Sequence, residues 1–235
     1  MEDRGQMRLT GIRFAWPGAR GFRIAIDEFS VASGESVLML GESGSGKSTL
    51  LSLASGIFLP DRGKICIGQT DITRLSANHR DRFRAENIGV IFQMFNLLPS
   101  VTALDNTILP LHFAPSRRSR LKQSPRAEAE RILAELGLPS SLVRHGPARN
   151  LSVGQQQRVA VARALIGEPD LIIADEPASA LDASSQDAFL DLLFRQVQGA
   201  GSTLLMVSHD RRIATRFDRA IELADIATIT MDRGE

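Results

Sequence analysis

The sequence predicts an α/β fold with a mostly parallel sheet. Leu171 to Ala174 and Thr203 to Val207 are uninterrupted apolar runs of strand length, and helix-like Ala183 to Gln198 separates them. Strands that are apolar on both faces belong to a parallel sheet covered on both sides by helices. The apolar run Ser36 to Leu40 leads into a glycine-rich loop and then into a helix-like stretch from Lys47 to about Ser55. A strand, a glycine loop and a helix in that order place a ligand at the carboxyl end of such a sheet.

The chain opens with β-like segments, Met7 to Phe14 and Phe22 to Val31, and Lys64 to Ile67 and Ile88 to Phe92 are also strand-like. Residues from about 94 to 160 read as a mostly helical insert. Within it, Ser124 to Leu136 carries Ser124 as an N-cap, Pro125 at the first helical position and Gly137 just past the end. Each residue type suits its place at a helix terminus. Ala129, Ile132, Leu133 and Leu136 fall at i, i+3, i+4 and i+7, one face of a helix.

Composition removes several classes of protein. The 235 residues are 43% hydrophobic and 23% charged, which excludes a disordered chain, a collagen-like chain and a disulfide scaffold. Lys plus Arg is 28 against 27 for Asp plus Glu, so nothing calls for a nucleic-acid backbone as the main ligand. Cys66 is the one cysteine, read as a small strand filler in a reducing compartment. No window has the roughly 18 apolar residues of a membrane span. The N-terminus Met-Glu-Asp-Arg-Gly-Gln lacks the apolar stretch of a signal peptide. A function at a membrane would therefore run through a partner.

The strongest motif is Gly41-Glu42-Ser43-Gly44-Ser45-Gly46-Lys47-Ser48-Thr49, which matches G-x-x-x-x-G-K-[ST] between a strand and a helix. The glycines let backbone N–H groups face a polyphosphate, and the helix N-terminus adds partial positive charge there. Lys47 would reach the β- and γ-phosphates, and the Ser48 hydroxyl would ligate Mg2+. Leu171-Ile-Ile-Ala-Asp175-Glu176-Pro177 delivers two carboxylates at a strand's end. Asp175 would hold Mg2+ through its water shell, and Glu176 would polarise an attacking water.

A third segment, Leu151-Ser152-Val153-Gly154-Gln155-Gln-Gln-Arg158, opens the helix-like stretch Gln155 to Leu165. Taken together, these motifs resemble the ABC ATPase family over nearly the whole chain. The resemblance implies a P-loop NTPase core at about 1–93 and 161–235, with a helical subdomain inserted at about 94–160. It also implies an antiparallel β subdomain near the N-terminus, all within one ABC ATPase domain. Ser152, Val153, Gly154 and Gln155 then form the signature that caps ATP on the opposite subunit. Val153 stands where that family most often has glycine, and Ala178 replaces a frequent threonine.

The same resemblance places the remaining site residues. Gln93 resembles the Q-loop glutamine, which senses Mg2+ and the attacking water. Ser179-Ala-Leu-Asp182 resembles the D-loop, with Asp182 facing the other subunit's site. His209 resembles the switch histidine that touches the γ-phosphate. Trp16, in Phe14-Ala-Trp16-Pro-Gly, takes the place of the tyrosine that stacks on adenine, since this chain has no tyrosine. The alternative for Trp16 is plain packing.

Phe92-Gln-Met-Phe-Asn-Leu-Leu-Pro-Ser-Val-Thr-Ala-Leu-Asp-Asn-Thr107 looks like the branch containing lipoprotein-releasing, macrolide-export and cell-division ATPases. That branch pairs with permeases carrying a large extracytoplasmic domain. Met94, Phe95, Leu97 and Leu98 suit either a groove for the permease or the helical subdomain's own core. The basic run Ser116 to Lys122 reads as a solvated loop, or as a contact for anionic lipid. Arg211, Arg212, Arg216 and Arg219 read as a solvated helix face. The short stretch after His209 leaves no room for a regulatory domain, and one P-loop with one signature makes half of a working pair.

The expected function is thus an ATP-hydrolysing subunit of an ABC transporter, using ATP and Mg2+. It would act as a homodimer at the cytoplasmic face of the inner or plasma membrane, held there by its permease, and move a lipid-linked or amphipathic substrate. A regulatory ABC ATPase that transmits force to an extracytoplasmic partner is the alternative. A soluble ABC protein on ribosomes or DNA is disfavoured by the near-neutral charge.

Overall fold

The computed structural model describes residues 5–16, 22–42, 44–179, 181 and 183–231. Two compact units emerge, one from Met1–Phe83 with Thr203–Glu235 and the other from Arg84–Ser202. In the first unit, strand β1 (Met7–Ala15) buries Met7, Leu9, Ile12 and Phe14 and exposes the residues between them. That alternation suits a sheet with one wet face. It pairs antiparallel with β2 (Phe22–Val31). After β3 (Ser36–Leu40) and helix α1 (Lys47–Ala54), β4 (Arg62–Ile67) pairs with β1 on its other side and with β5 (Thr70–Asp71).

Helix α2 (Ala77–Asn87) carries the chain out of the first unit. Its sequence Ala-Asn-His-Arg-Asp-Arg-Phe-Arg-Ala-Glu-Asn has no apolar period, and only Glu86 is buried. In the second unit β6 (Ile88–Ile91) is followed by α3 (Ala103–Ile108), α4 (Pro115–Ser119), α5 (Pro125–Glu135), α6 (Ser140–Val143) and α7 (Val153–Leu165). Ser124 Oγ accepts from Ala127 N at 3.3 Å and starts α5, as the cap sequence predicts. Then β7 (Leu171–Asp175) pairs parallel with β6, and α8 (Ala183–Ala200) closes the unit.

The chain returns to the first unit with β8 (Thr203–Ser208), in which every residue is buried. It lies parallel to β3, and β9 (Arg219–Glu222) lies parallel to β3 on the other side. The short helix α9 (Leu223–Ile226) and β10 (Ala227–Met231) follow, and β10 pairs with β2. Parallel and antiparallel pairing therefore coexist, as expected. No helix among the described residues is long and apolar enough to cross a membrane.

Two readings of basic residues need correction. Arg219 is in strand β9, not on a helix face, and its guanidinium bridges Glu35 at 2.8 Å. Arg117, near the start of the basic run, is 1% exposed. It donates to the carbonyls of Ile166 at 2.9 Å, Ala164 at 2.9 Å and Ala85 at 3.2 Å. Carbonyls at the end of a helix and in the turn after it form an acceptor cage, and sequence spacing gives no sign of it.

Candidate functional site

The first unit builds the loop from β3 to α1. Leu40 is buried at the strand's end, and the Ser45 N–H turns back to Glu42 O at 3.2 Å. Gly46 is the N-cap of α1 with φ of 91°, in the left-handed region. A Cβ there would meet the Phe22 ring at 3.1 Å and Ile229 Cδ1 at 3.2 Å, so both conformation and space require glycine. Lys47 is buried, and its ammonium donates to Gly41 O at 2.7 Å and Glu42 O at 2.8 Å. The cation is thereby folded back over the loop.

Two further features suit a polyanion. Among the described residues, Ser45 Oγ is the buried side-chain polar atom without a hydrogen-bond partner. Gly46 supplies no side-chain cap, so the first N–H groups of α1 are not closed off by their own cap residue. An unmet hydroxyl, helix N–H groups and a buried ammonium form a donor-rich loop, which fits the oxygens of a nucleotide's phosphates. Gly44 has φ of 78°, and Ser48 is exposed at the same end of the helix. Ser43 lies outside the described residues.

Trp16 reaches this loop through α1. Its indole N–H donates to Thr49 Oγ1 at 3.0 Å. The ring meets Phe58 edge-on at 4.7 Å and Phe14 at 5.6 Å. His209 is exposed just beyond β8, whose Ser208 is paired with Leu40 of β3. The histidine therefore leaves the same end of the sheet as the phosphate loop. Its turn is set by Asp210 N donating to Ser208 Oγ and Arg212 N donating to Asp210 Oδ1, each at 3.0 Å.

The second unit holds the other candidates. Ile91 of β6 is paired with Ala174 of β7, so Gln93, Asp175 and Glu176 leave two neighbouring strands at one end. Gln93 is exposed in a turn. Glu176 has φ of 41°, left-handed for a residue that is not glycine and that precedes proline. Such a conformation costs about 1–3 kcal/mol and persists only when its surroundings hold it. The Glu176 carbonyl accepts from Ser179 N at 3.2 Å and Ser179 Oγ at 3.0 Å. The next carbonyl, of Pro177, accepts from the Gln157 side-chain amide.

Helix α7 starts at the signature. Ser152 Oγ accepts from Gln155 N at 3.3 Å, and Ser152 N donates to Gln155 Oε1 at 2.9 Å, a reciprocal capping box. Val153 is 52% exposed, and a Cβ on Gly154 would meet nothing within 4 Å. The chain's own packing therefore does not require glycine at 154. Asp182 lies outside the described residues. The site residues thus fall into two groups: Trp16, the phosphate loop and His209 in one unit, and Gln93, Asp175, Glu176 and the signature in the other.

Two residues escaped the sequence reading. Gln157 and Arg163 both lie on α7, the first fully buried and the second donating to Phe95 O at 2.5 Å and Asn96 O at 2.6 Å. Gln157 stands three, four and seven residues before Ala160, Val161 and Ala164, all buried. A polar residue on the buried face of a helix was the available signal.

A family model described as ABC transporter matches residues 26–179. The chain belongs to the ABC transporter family. It is 39% identical over 198 residues to the lipoprotein-releasing system ATP-binding protein LolD of Syntrophotalea carbinolica, which covers 84% of this chain and 85% of that protein. It is 40% identical over 196 residues to the macrolide export ATP-binding/permease protein MacB of Hyphomonas neptunium, covering 83% of this chain and 29% of that longer protein. Its fold matches the ATP-binding cassette MJ0796, solved as a dimer in a post-hydrolysis state with ADP and Pi. That match has a TM-score of 0.81 at 33% identity and covers 97% of this chain and 100% of that one. This ABC protein is accordingly an ATP-binding, ATP-hydrolysing subunit of a transporter. ABC cassettes dimerise and work with membrane permeases.

Proposed function

We propose that two copies of this chain sandwich ATP head to tail and drive a permease with a large extracytoplasmic domain. The observation that carries the reading is the donor-rich loop around Lys47 and the unpartnered Ser45 hydroxyl. Lys47 and the N-terminus of α1 neutralise the phosphates, and Trp16 offers its ring to the base. Ser48, Gln93 and Asp175 are oxygen donors of the kind Mg2+ prefers, and Mg2+ when bound would add charge neutralisation at the β- and γ-phosphates. Glu176 accepts the proton of the attacking water at its carboxylate, and the His209 ring donates to a γ-phosphate oxygen.

Ser152 and the Gly154 N–H then cap the γ-phosphate of the partner's ATP, beside Val153 and Gln155. The open space at Gly154 supports this, because a glycine that the fold does not need leaves room for something from outside the chain. The helices from α3 to α7 act as the inserted helical subdomain, with Met94 (81% exposed) and Leu98 (45% exposed) open to the permease. The protein would sit peripherally at the cytoplasmic face of the inner or plasma membrane. Similarity to LolD favours a lipid-linked or amphipathic substrate.

The test is a pull-down from solubilised membranes with tagged Glu176→Gln protein held in ATP and Mg2+. Recovery of a permease with a large extracytoplasmic domain is expected, together with retained ATP binding and turnover reduced by about 100-fold or more. Recovery of only ribosomal or DNA-bound proteins would overturn the transporter reading. Turnover within threefold of the parent would remove Glu176 from its role, by the same general-base argument.

A further inference from the structure

Glu176 is held in an unfavourable backbone conformation, and the restraints on it are specific. Its own carbonyl is taken by Ser179, within the turn. The Pro177 carbonyl is taken from outside the turn, by the side chain of Gln157 on α7. Gln157 is 2% exposed and shares a helix face with Ala160, Val161 and Ala164, all buried. A buried amide is retained in such a place when its hydrogen bond is made, since an unmade one is costly. Pro177 has a fixed φ, so anchoring its carbonyl fixes the Pro177–Ala178 peptide and restrains the turn directly after Glu176.

We propose that Gln157 is a positioning residue for hydrolysis: its amide N–H locks the turn that aims the Glu176 carboxylate. The inference rests on the reading of Glu176 as general base. The same bond ties that turn to the helix capped by Ser152, five residues before Gln157. Helix α7 and the Glu176 turn therefore move as one body. In the head-to-tail pair, the end of α7 caps the partner's ATP while Glu176 acts on the chain's own. Gln157 is thus placed to pass a shift at one site to the base of the other.

The experiment uses the full chain and compares Gln157→Leu and Gln157→Glu with the parent and with Glu176→Gln. Gln157→Leu keeps bulk and loses the donor. Its kcat is expected to fall by about tenfold to a hundredfold, as small misplacements of a catalytic group do, with KM for ATP within twofold. Thermal denaturation reports whether it is folded. Gln157→Glu cannot donate when ionised, but a buried carboxyl is readily protonated and then can. Its activity relative to the parent should rise as pH falls from about 8 to 6, a trend that loss of packing alone does not produce. A folded Gln157→Leu with kcat within twofold, beside an inactive Glu176→Gln, overturns the positioning role and leaves Glu176 standing. If Gln157→Leu does not fold, a flat pH ratio for Gln157→Glu overturns it. Near-parental turnover in Glu176→Gln overturns both.

Discussion

The indole N–H of Trp16 donates to the hydroxyl of Thr49, in the first turn of the helix that carries Lys47 and Ser48. The proposed base-binding ring is therefore tied to the proposed phosphate-binding helix by one bond. Thr49→Val keeps the shape and removes the acceptor. A bond of about 1 kcal/mol corresponds to roughly fivefold, so KM for ATP should rise by about that factor with kcat little changed. Trp16 is the one tryptophan and there is no tyrosine, so intrinsic emission reports on this ring alone. A red-shifted maximum is expected in the variant. Unchanged emission and unchanged KM together would show that the bond does not orient the ring.

Arg163 clamps the segment that follows Gln93. Its guanidinium holds the carbonyls of Phe95 and Asn96, whose φ values of 59° and 49° are both left-handed. Burial lowers the Arg163 pKa from its ordinary value. Charge-assisted bonds to two strained carbonyls should make Arg163→Ala cost about 2–3 kcal/mol. Urea unfolding measures that loss. Chymotrypsin should also cut after Phe95 sooner in the variant. Arg163→Lys, a point donor without the planar fork, should fall between. Equal stability of Ala and parent would mean that the loop holds itself.

Arg117 and Arg118 are neighbours with opposite roles. Arg117 is buried against Ala164 and Ile166, while Arg118 is exposed. Gly167 makes room for it, since a Cβ there would lie 2.8 Å from Arg117 Cβ. Burial pulls the Arg117 pKa down to about 10, so the group stays charged at neutrality. Because the folded value lies below the unfolded one, the burial penalty is fully present below pH 10 and eases as pH rises above it. Near neutrality Arg117 adds no pH slope. Arg117→Met should cost about 2–3 kcal/mol, because the caged carbonyls lose their donor, while Glu86 keeps the backbone N–H groups of Ser116 and Arg117. Arg118→Ala should cost under about 0.5 kcal/mol. Equilibrium unfolding of the two variants side by side decides it.

What could be read in advance followed from chemistry that is local in sequence. Ser124, Pro125 and Gly137 marked both ends of α5, and the apolar run Thr203 to Val207 marked β8, because caps and buried strands use residue types directly. Helix α2 left no trace, since its few apolar residues show no helical period and only Glu86 is buried. Strand β9 was hidden by Arg219, whose charge is balanced by Glu35, distant in sequence. The motif residues of the site were legible for the same local reason. Gln157 and Arg163 were not, because their partners, Pro177 and the Phe95–Asn96 pair, come from other elements.

Val153 tests whether the signature is finished business in this chain. It is the first residue of α7, 52% exposed, and its neighbour Gly154 faces open space. A β-branched side chain beside the proposed phosphate cap adds bulk that glycine would not. Val153→Gly should cost the fold only a few tenths of a kcal/mol, about the difference in helix propensity at an exposed site. If the bulk hinders closure by about 1 kcal/mol, removing it lowers the ATP concentration for dimer formation roughly fivefold. The measurement is size-exclusion chromatography of Val153→Gly in the Glu176→Gln background across an ATP titration. A midpoint shifted to lower ATP means that the valine weakens this chain's grip on its partner. An unchanged midpoint means that the partner's phosphate approaches from the Ser152 and Gly154 side, and that Val153 stands clear of it.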